Sequence, residues 1–270
     1  MLDRFENKQD EILALLLPPH HLINPFSFML REEPGQRSLK KNLLLASSTA
    51  SVAGMTNVVG VMAFLSFVSN ITGHVATLAG KITEQNLAEV YTVLYWLFMF
   101  FFGAFISNFI VKSLDYKSAY FAHATPIVLE IIILLGVAVY GNDVYNGSEI
   151  QREAITGAVL FCMGLQNGLV SRISGGLIKT SHLTGLITDL GGELSDLLHP
   201  QVENTRVLRE KIYIRLTVLA FFIIGGILGG YLFNLMGIAT FFVIPLVLLT
   251  ILLYDIYPVL LHRVRKWWIT

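Results

Sequence analysis

SNITGHVATLAGK, residues 69–81, is repeated almost in kind by SHLTGLITDLGGE at 181–193. Both copies follow Ser-(Asn/His)-(Ile/Leu)-Thr-Gly-x-(Val/Ile)-(Ala/Thr)-x-Leu-(Ala/Gly)-Gly. A polar, glycine-bearing phrase written twice in one apolar chain asks what common place the two copies hold.

The surroundings are those of a membrane protein. Hydrophobic residues make up 54% of the 270, charged residues 14%, and the mean hydropathy is +0.64. Soluble domains carry about 25% charged residues. The charges are bunched: none falls in Asn42–Gly80, Val90–Val111, Ala154–Ser171 or Leu216–Tyr254. One bilayer crossing takes about 20 apolar residues, and the first and last runs are nearly twice that. Six spans fit, near 43–66, 90–111, 119–140, 154–171, 213–233 and 238–257, with a tight turn expected at Asn234-Leu235-Met236-Gly237. With the N-terminus inside, all but Lys81 and Arg152 of the 19 basic residues fall on the inner side, as the positive-inside rule requires.

The repeat extends beyond the motif. Asn57 precedes the first copy in GMTNVVG and Asn167 the second in GLQNGLV. FFGAFIS (101–107) pairs with IIGGILG (223–229), and PIVLEI (126–131) with PLVLLT (245–250). Four matches in one order indicate duplication. Each unit holds three spans, an odd number, so the second lies inverted relative to the first, a common construction in transporters. The expected fold is therefore all-α and polytopic: six transmembrane helices in two inverted three-helix repeats, 38–141 and 150–258. A cytoplasmic or interfacial extension (1–37) precedes them, and a basic, aromatic tail (259–270) follows. Each motif is expected to be a re-entrant half-helix, capped by Ser69 or Thr72 and by Ser181 or Thr184, its N-terminus aimed at a shared site near the midplane. The alternative is a pair of tight turns at span ends.

Several residues are candidates for contact with a solute: Asn57, Asn70, Thr72, Gly73, Asn167, His182, Thr184 and Gly185. Glu130, inside the third span, is a candidate for proton coupling, because an ionisable group at membrane depth is costly and usually faces the protein interior. A hydrogen-bonded structural role is the competing reading; the matching residue in the second copy is Leu249. Asp189 is a second coupling candidate, with pairing to Lys179 or simple solvation as alternatives. Capping of the neighbouring half-helix is the structural alternative for Asn57 and Asn167, and backbone bonding is that for His74. The small residues of GGILGG (225–230), and Gly103 with Ser107, suit close helix packing between repeats or between protomers. HRVRKWWIT at the C-terminus reads as an interface anchor, with Trp267-Trp268 in an aromatic belt. Ile12–Leu17 before Pro18-Pro19 reads as a surface-lying segment rather than a signal peptide.

No hydrolase, Walker or Rossmann signature is present, so no catalytic residues are assigned. No ligand spacing supports a metal site, no cofactor is expected, and the single Cys162 excludes an intrachain disulfide. Zero net charge without a basic aromatic patch argues against nucleic acid.

ASVAGMTNVVGVMAFLSFVSNITGHVATL (50–78) and FCMGLQNGLVSRISGGLIKTSHLTGLITDLG (161–191) resemble the YoaK family of bacterial six-span membrane proteins. The resemblance covers roughly 38–258. Where the family typically reads Val-Asp-Ala, this chain has Met55-Thr56-Asn57, so an acidic role there is absent. The resemblance implies a multi-pass protein of the bacterial inner membrane, and little about its solute. The expected function is a transporter or channel for a small polar or anionic solute at the repeat interface, in contact with lipid and able to form a homo-oligomer. A non-transporting scaffold or sensor is the alternative, and an intramembrane enzyme the third.

Overall fold

The computed structural model describes residue 30 and residues 37–114, 118–199 and 205–267, with side chains as far as 257. The described residues are helical, without strands. In chain order the helices are α1 (Leu39–Phe64), α2 (Ile71–Thr83), α3 (Leu87–Leu114), α4 (Ala119–Asp143), α5 (Glu149–Ile173), α6 (Leu183–Leu198), α7 (Thr205–Met236) and α8 (Val243–Trp267). A 3-10 turn, Gly237–Phe242, joins the last two.

Among the described residues, five segments are long and apolar enough to cross a membrane: α1, α3, α4, α5 and the stretch Thr205–Tyr257. That last stretch is 53 residues and contains α7, the 3-10 turn and the start of α8. The expected turn at Asn234–Gly237 falls later than predicted. Helix α7 continues through Met236, and Gly237 then takes φ +59°, a left-handed value that suits glycine. Helices α1 and α5 are the most buried of these segments. Helix α3 is the least, with a row of stacked phenyl rings from Phe98 to Phe109 on its exposed side. Hydroxyls inside the apolar helices bond back to carbonyls one turn earlier, Thr56 to Val52 and Thr156 to Arg152 among them, so they need no water.

Two close helix pairs hold the molecule together. Helix α1 lies on α7 and α3 on α5, each through glycines that let the backbones touch. A Cβ on Gly54 would overlap the carbonyl of Phe222, and one on Gly225 the carbonyl of Ser51. In the other pair a Cβ on Gly164 would overlap the carbonyl of Phe100, and one on Gly103 that of Phe161. These are the same positions in the two copies of the repeat. Contacting residues rise in number together, Ser51 against Gly225 and Met55 against Gly229, Phe100 against Gly164 and Ala104 against Gly168. Both pairs therefore run parallel. The small-residue stretches pack one half of this chain against the other.

Helix α4 packs on α5 and α8, its Tyr120 hydroxyl donating to the carbonyl of Leu252 at 3.3 Å. Residue 30 is fixed between the same helices: Leu30 N–H donates to Asp255, and its carbonyl meets His123 Nδ1, each at 2.5 Å. The predicted surface segment at 12–17 and the side chains of the Trp267-Trp268 anchor lie outside the described residues.

Candidate functional site

Each motif forms a short helix that starts at the third residue of the quoted phrase. Their exposure repeats position for position. Asn70 and Thr72 are exposed before buried His74, and His182 and Thr184 are exposed before buried Leu186. In front of each helix stands the asparagine of the preceding long helix. Asn57 Oδ1 accepts from Val68 N at 3.2 Å and from Ser69 Oγ at 2.9 Å. Asn167 Nδ2 donates to Ser181 Oγ at 2.7 Å, and its Oδ1 accepts from Thr180 Oγ1 at 3.3 Å. An amide in apolar surroundings needs such partners, and here it clamps the chain as it turns into the short helix. Both asparagines thus hold the chain ahead of the short helix rather than cap the helix itself.

The capping expectation is corrected. Ser69 and Ser181 are occupied by the asparagine clamps, and Asn70 is the cap of α2, its Oδ1 accepting from Gly73 N at 3.0 Å. Asn and Ser are comparable caps, so the choice falls to whichever is free. At α6 the equivalent residue is His182, which makes no side-chain cap bond. The first N–H groups of a helix have no intrahelical acceptor, and at α6 no cap side chain supplies one. Gly73 and Gly185 are the seats for these cap residues: a Cβ on either would strike the Asn70 amide or the His182 ring.

Both N-termini open into one cavity of about 1280 Å³. Asn57, Asn70, Thr72, Asn167, His182 and Thr184 all line it, whereas Gly73 and Gly185 lie behind it. Two cations, Arg172 and Lys179, are exposed on its wall, and no carboxylate among the described residues lines it. Phe100 and Phe222, equivalent residues of the two halves, also line it, as do Ala104 and Val111. His123, Asn108, Ser171 and the two clamped serines, Ser69 and Ser181, complete its polar lining. The sequence reading missed the cations and the two phenylalanines. In the sequence Arg172 reads only as a topology charge and Lys179 as that or a partner of Asp189, and a Phe in an apolar helix carries no sign of which way it faces.

The two carboxylate candidates lie elsewhere. Glu130 is buried in α4 beside α5, where its backbone carbonyl meets the Cys162 thiol at 3.9 Å and its Oε1 has no partner. It is not among the cavity residues. Asp189 is also outside the main cavity, and its partner is Arg215 at 3.0 Å rather than Lys179. Arg215, on α7, holds Glu193 at 2.7 Å as well, so one guanidinium ties α6 to α7. A second, small cavity beside this junction is lined by Lys179 and His182 as well as Asp189 and Arg215. His74 is structural: its Nε2 meets the Phe67 carbonyl at 2.7 Å, and its ring stands edge-on to Trp96.

Residues 45–254 match the family model described as a protein of unknown function, DUF1275. The chain belongs to the DUF1275 family. No curated protein and no solved structure matches it. The matched span takes in both copies of the motif, both asparagine clamps and every residue lining the cavity of this DUF1275 protein. Among the described residues no cluster of His, Cys, Asp and Glu has the makings of a metal site.

Proposed function

We propose that this DUF1275 protein is a multi-pass transporter or channel of the bacterial inner membrane, of the YoaK type, for a small polar or anionic solute, with anions favoured. One observation carries the reading: two helix N-termini share a single cavity that, among the described residues, is lined by two cations and no carboxylate. The positive end of the helix dipole and unpaired N–H groups favour an anion there, and the exposed cations raise its local concentration.

Length and direction together support a reading with six crossings. At 1.5 Å per residue a continuous helix as long as Thr205–Tyr257 would be roughly 80 Å, more than twice a bilayer core of about 30 Å. Gly237 breaks it into two. With both parts counted, α1 and α7 are the first and fifth spans and α3 and α5 the second and fourth. Spans of equal parity run the same way, and those pairs are the parallel ones. Helices α2 and α6, 13 and 16 residues long, are then re-entrant half-helices entering from opposite faces. The two halves are related by an inverted repeat, with both termini cytoplasmic.

Purified protein in liposomes tests the proposal. Uptake of a panel of labelled anions, with and without a proton gradient, is expected to exceed that of protein-free vesicles. Arg172→Ala with Lys179→Ala is expected to abolish the excess. Equal leakage from loaded and empty membranes across anions and neutral polar solutes alike would overturn the proposal.

A further inference from the structure

The cavity lining carries two kinds of side chain. Thr184, His182, Arg172 and Lys179, from the second motif and the chain just before it, add donors and charge to the polar residues of the first motif. Phe100 and Phe222, with Ala104 and Val111, add apolar surface. Both phenylalanines stand next to the glycine contacts that fix the helix pairs, because the carbonyls of these same residues take the close approach of Gly164 and Gly54. Packing therefore holds their backbones in place. Arg172 and Lys179 have no counterparts in the first copy, where Met62 and Phe67 occupy the matching places. The positive charge is one-sided.

A strongly hydrated inorganic anion such as phosphate requires donors all round to replace its water, and the rings of Phe100 and Phe222 offer none. A neutral apolar solute would leave the cations and the uncapped helix end without use. An anion with its charge at one end and an apolar body at the other uses both kinds of lining. Arginine binds a carboxylate through two parallel N–H bonds, and offset or edge-on ring packing adds to burial of an aromatic body. We infer that the preferred ligand of this cavity is a monocarboxylate with an apolar, ring-sized body, its carboxylate at Arg172 and Lys179 and its body between Phe100 and Phe222. The inference rests on the transport reading and narrows its substrate class.

Benzoate is the probe, against benzamide (the neutral isostere), formate (the headgroup alone) and phosphate. Each is titrated into the full chain in detergent and followed by thermal stabilisation, because a ligand stabilises what it binds. The same four are then offered to proteoliposomes. Benzoate is expected to bind at least tenfold more tightly than the other three. Arg172→Ala should weaken benzoate about tenfold or more, consistent with losing a charged hydrogen-bond partner. Phe100→Ala and Phe222→Ala should weaken benzoate and leave formate unchanged. Phe100→Leu and Arg172→Lys, judged by their ligand-free melting, control for folding. Benzamide binding as well as benzoate would overturn the inference. Formate or phosphate binding and transport without benzoate would overturn it too, while leaving the transport reading in place. No binding or transport of any of the three anions would remove the inference and count against that reading.

Discussion

The closest helix contacts yield the sharpest stability prediction. Gly225→Ala adds a Cβ that would overlap three main-chain atoms of Ser51. Main-chain atoms cannot rotate aside, so α1 and α7 must part by roughly 1 Å along their contact, against the close packing of a protein interior. Overpacking of this kind costs about 1–3 kcal/mol. Alanine returns part of that, since glycine is worse by about 1 kcal/mol inside a helix. The expected net loss is up to about 2 kcal/mol, and at about 2–4 °C per kcal/mol the melting temperature falls by up to about 8 °C. Gly103→Ala meets the carbonyl of Phe161 in the equivalent contact of α3 with α5, and should lose a similar amount. Gly136→Ala is the control: nothing lies within 4 Å of its added Cβ, so it should melt at or slightly above the wild-type temperature. Circular dichroism melts in one detergent at one scan rate make the comparison. If all three variants melt together, the backbone contacts described here do not hold the helices, and the correspondence of the halves loses its main packing evidence.

Asn57→Ala leaves the Ser69 hydroxyl and the Val68 N–H without their acceptor, so the same melts should show a loss of about 1–3 kcal/mol, with Asn167→Ala comparable. Arg215→Ala strips a mostly buried Glu193 of its cation and should cost about 1–3 kcal/mol, the partial exposure of the pair lowering the figure for a fully buried one. Glu193→Ala in that background should recover part of the loss. Glu130→Gln keeps the shape of a buried side chain and should melt within about 1 kcal/mol of wild type, while proton-driven uptake in liposomes loses its pH dependence. Unaltered pH dependence would take Glu130 out of any coupling role.

The helices and their correspondence were legible because they rest on local pattern. Charge-free runs mark where the long helices lie, and the Ser-x-x-Thr-Gly phrases mark where the two short ones begin. FFGAFIS and IIGGILG carry the small residues that the backbone contacts use. What stayed hidden depends on which residue meets which at a distance. Asn70 is the cap because Asn57 already holds Ser69. Asp189 belongs to Arg215 because α7 returns alongside α6, a fact no spacing within the motif encodes. Phe100 and Phe222 resemble lipid-facing residues until the two helix pairs turn them toward one cavity. Glu130 drew attention for its charge, yet its burial against α5 puts it away from the cavity.

Thiol accessibility tests the shared cavity most directly. Thr72→Cys and Thr184→Cys are made separately in a Cys162→Ala chain, and a membrane-impermeant thiol reagent is applied to oriented vesicles from one face at a time. A common cavity predicts that the reagent reaches both positions from the same face, and that one permeating anion slows both reactions. Position 72 reacting only from the outer face and position 184 only from the inner, each indifferent to anions, would contradict it.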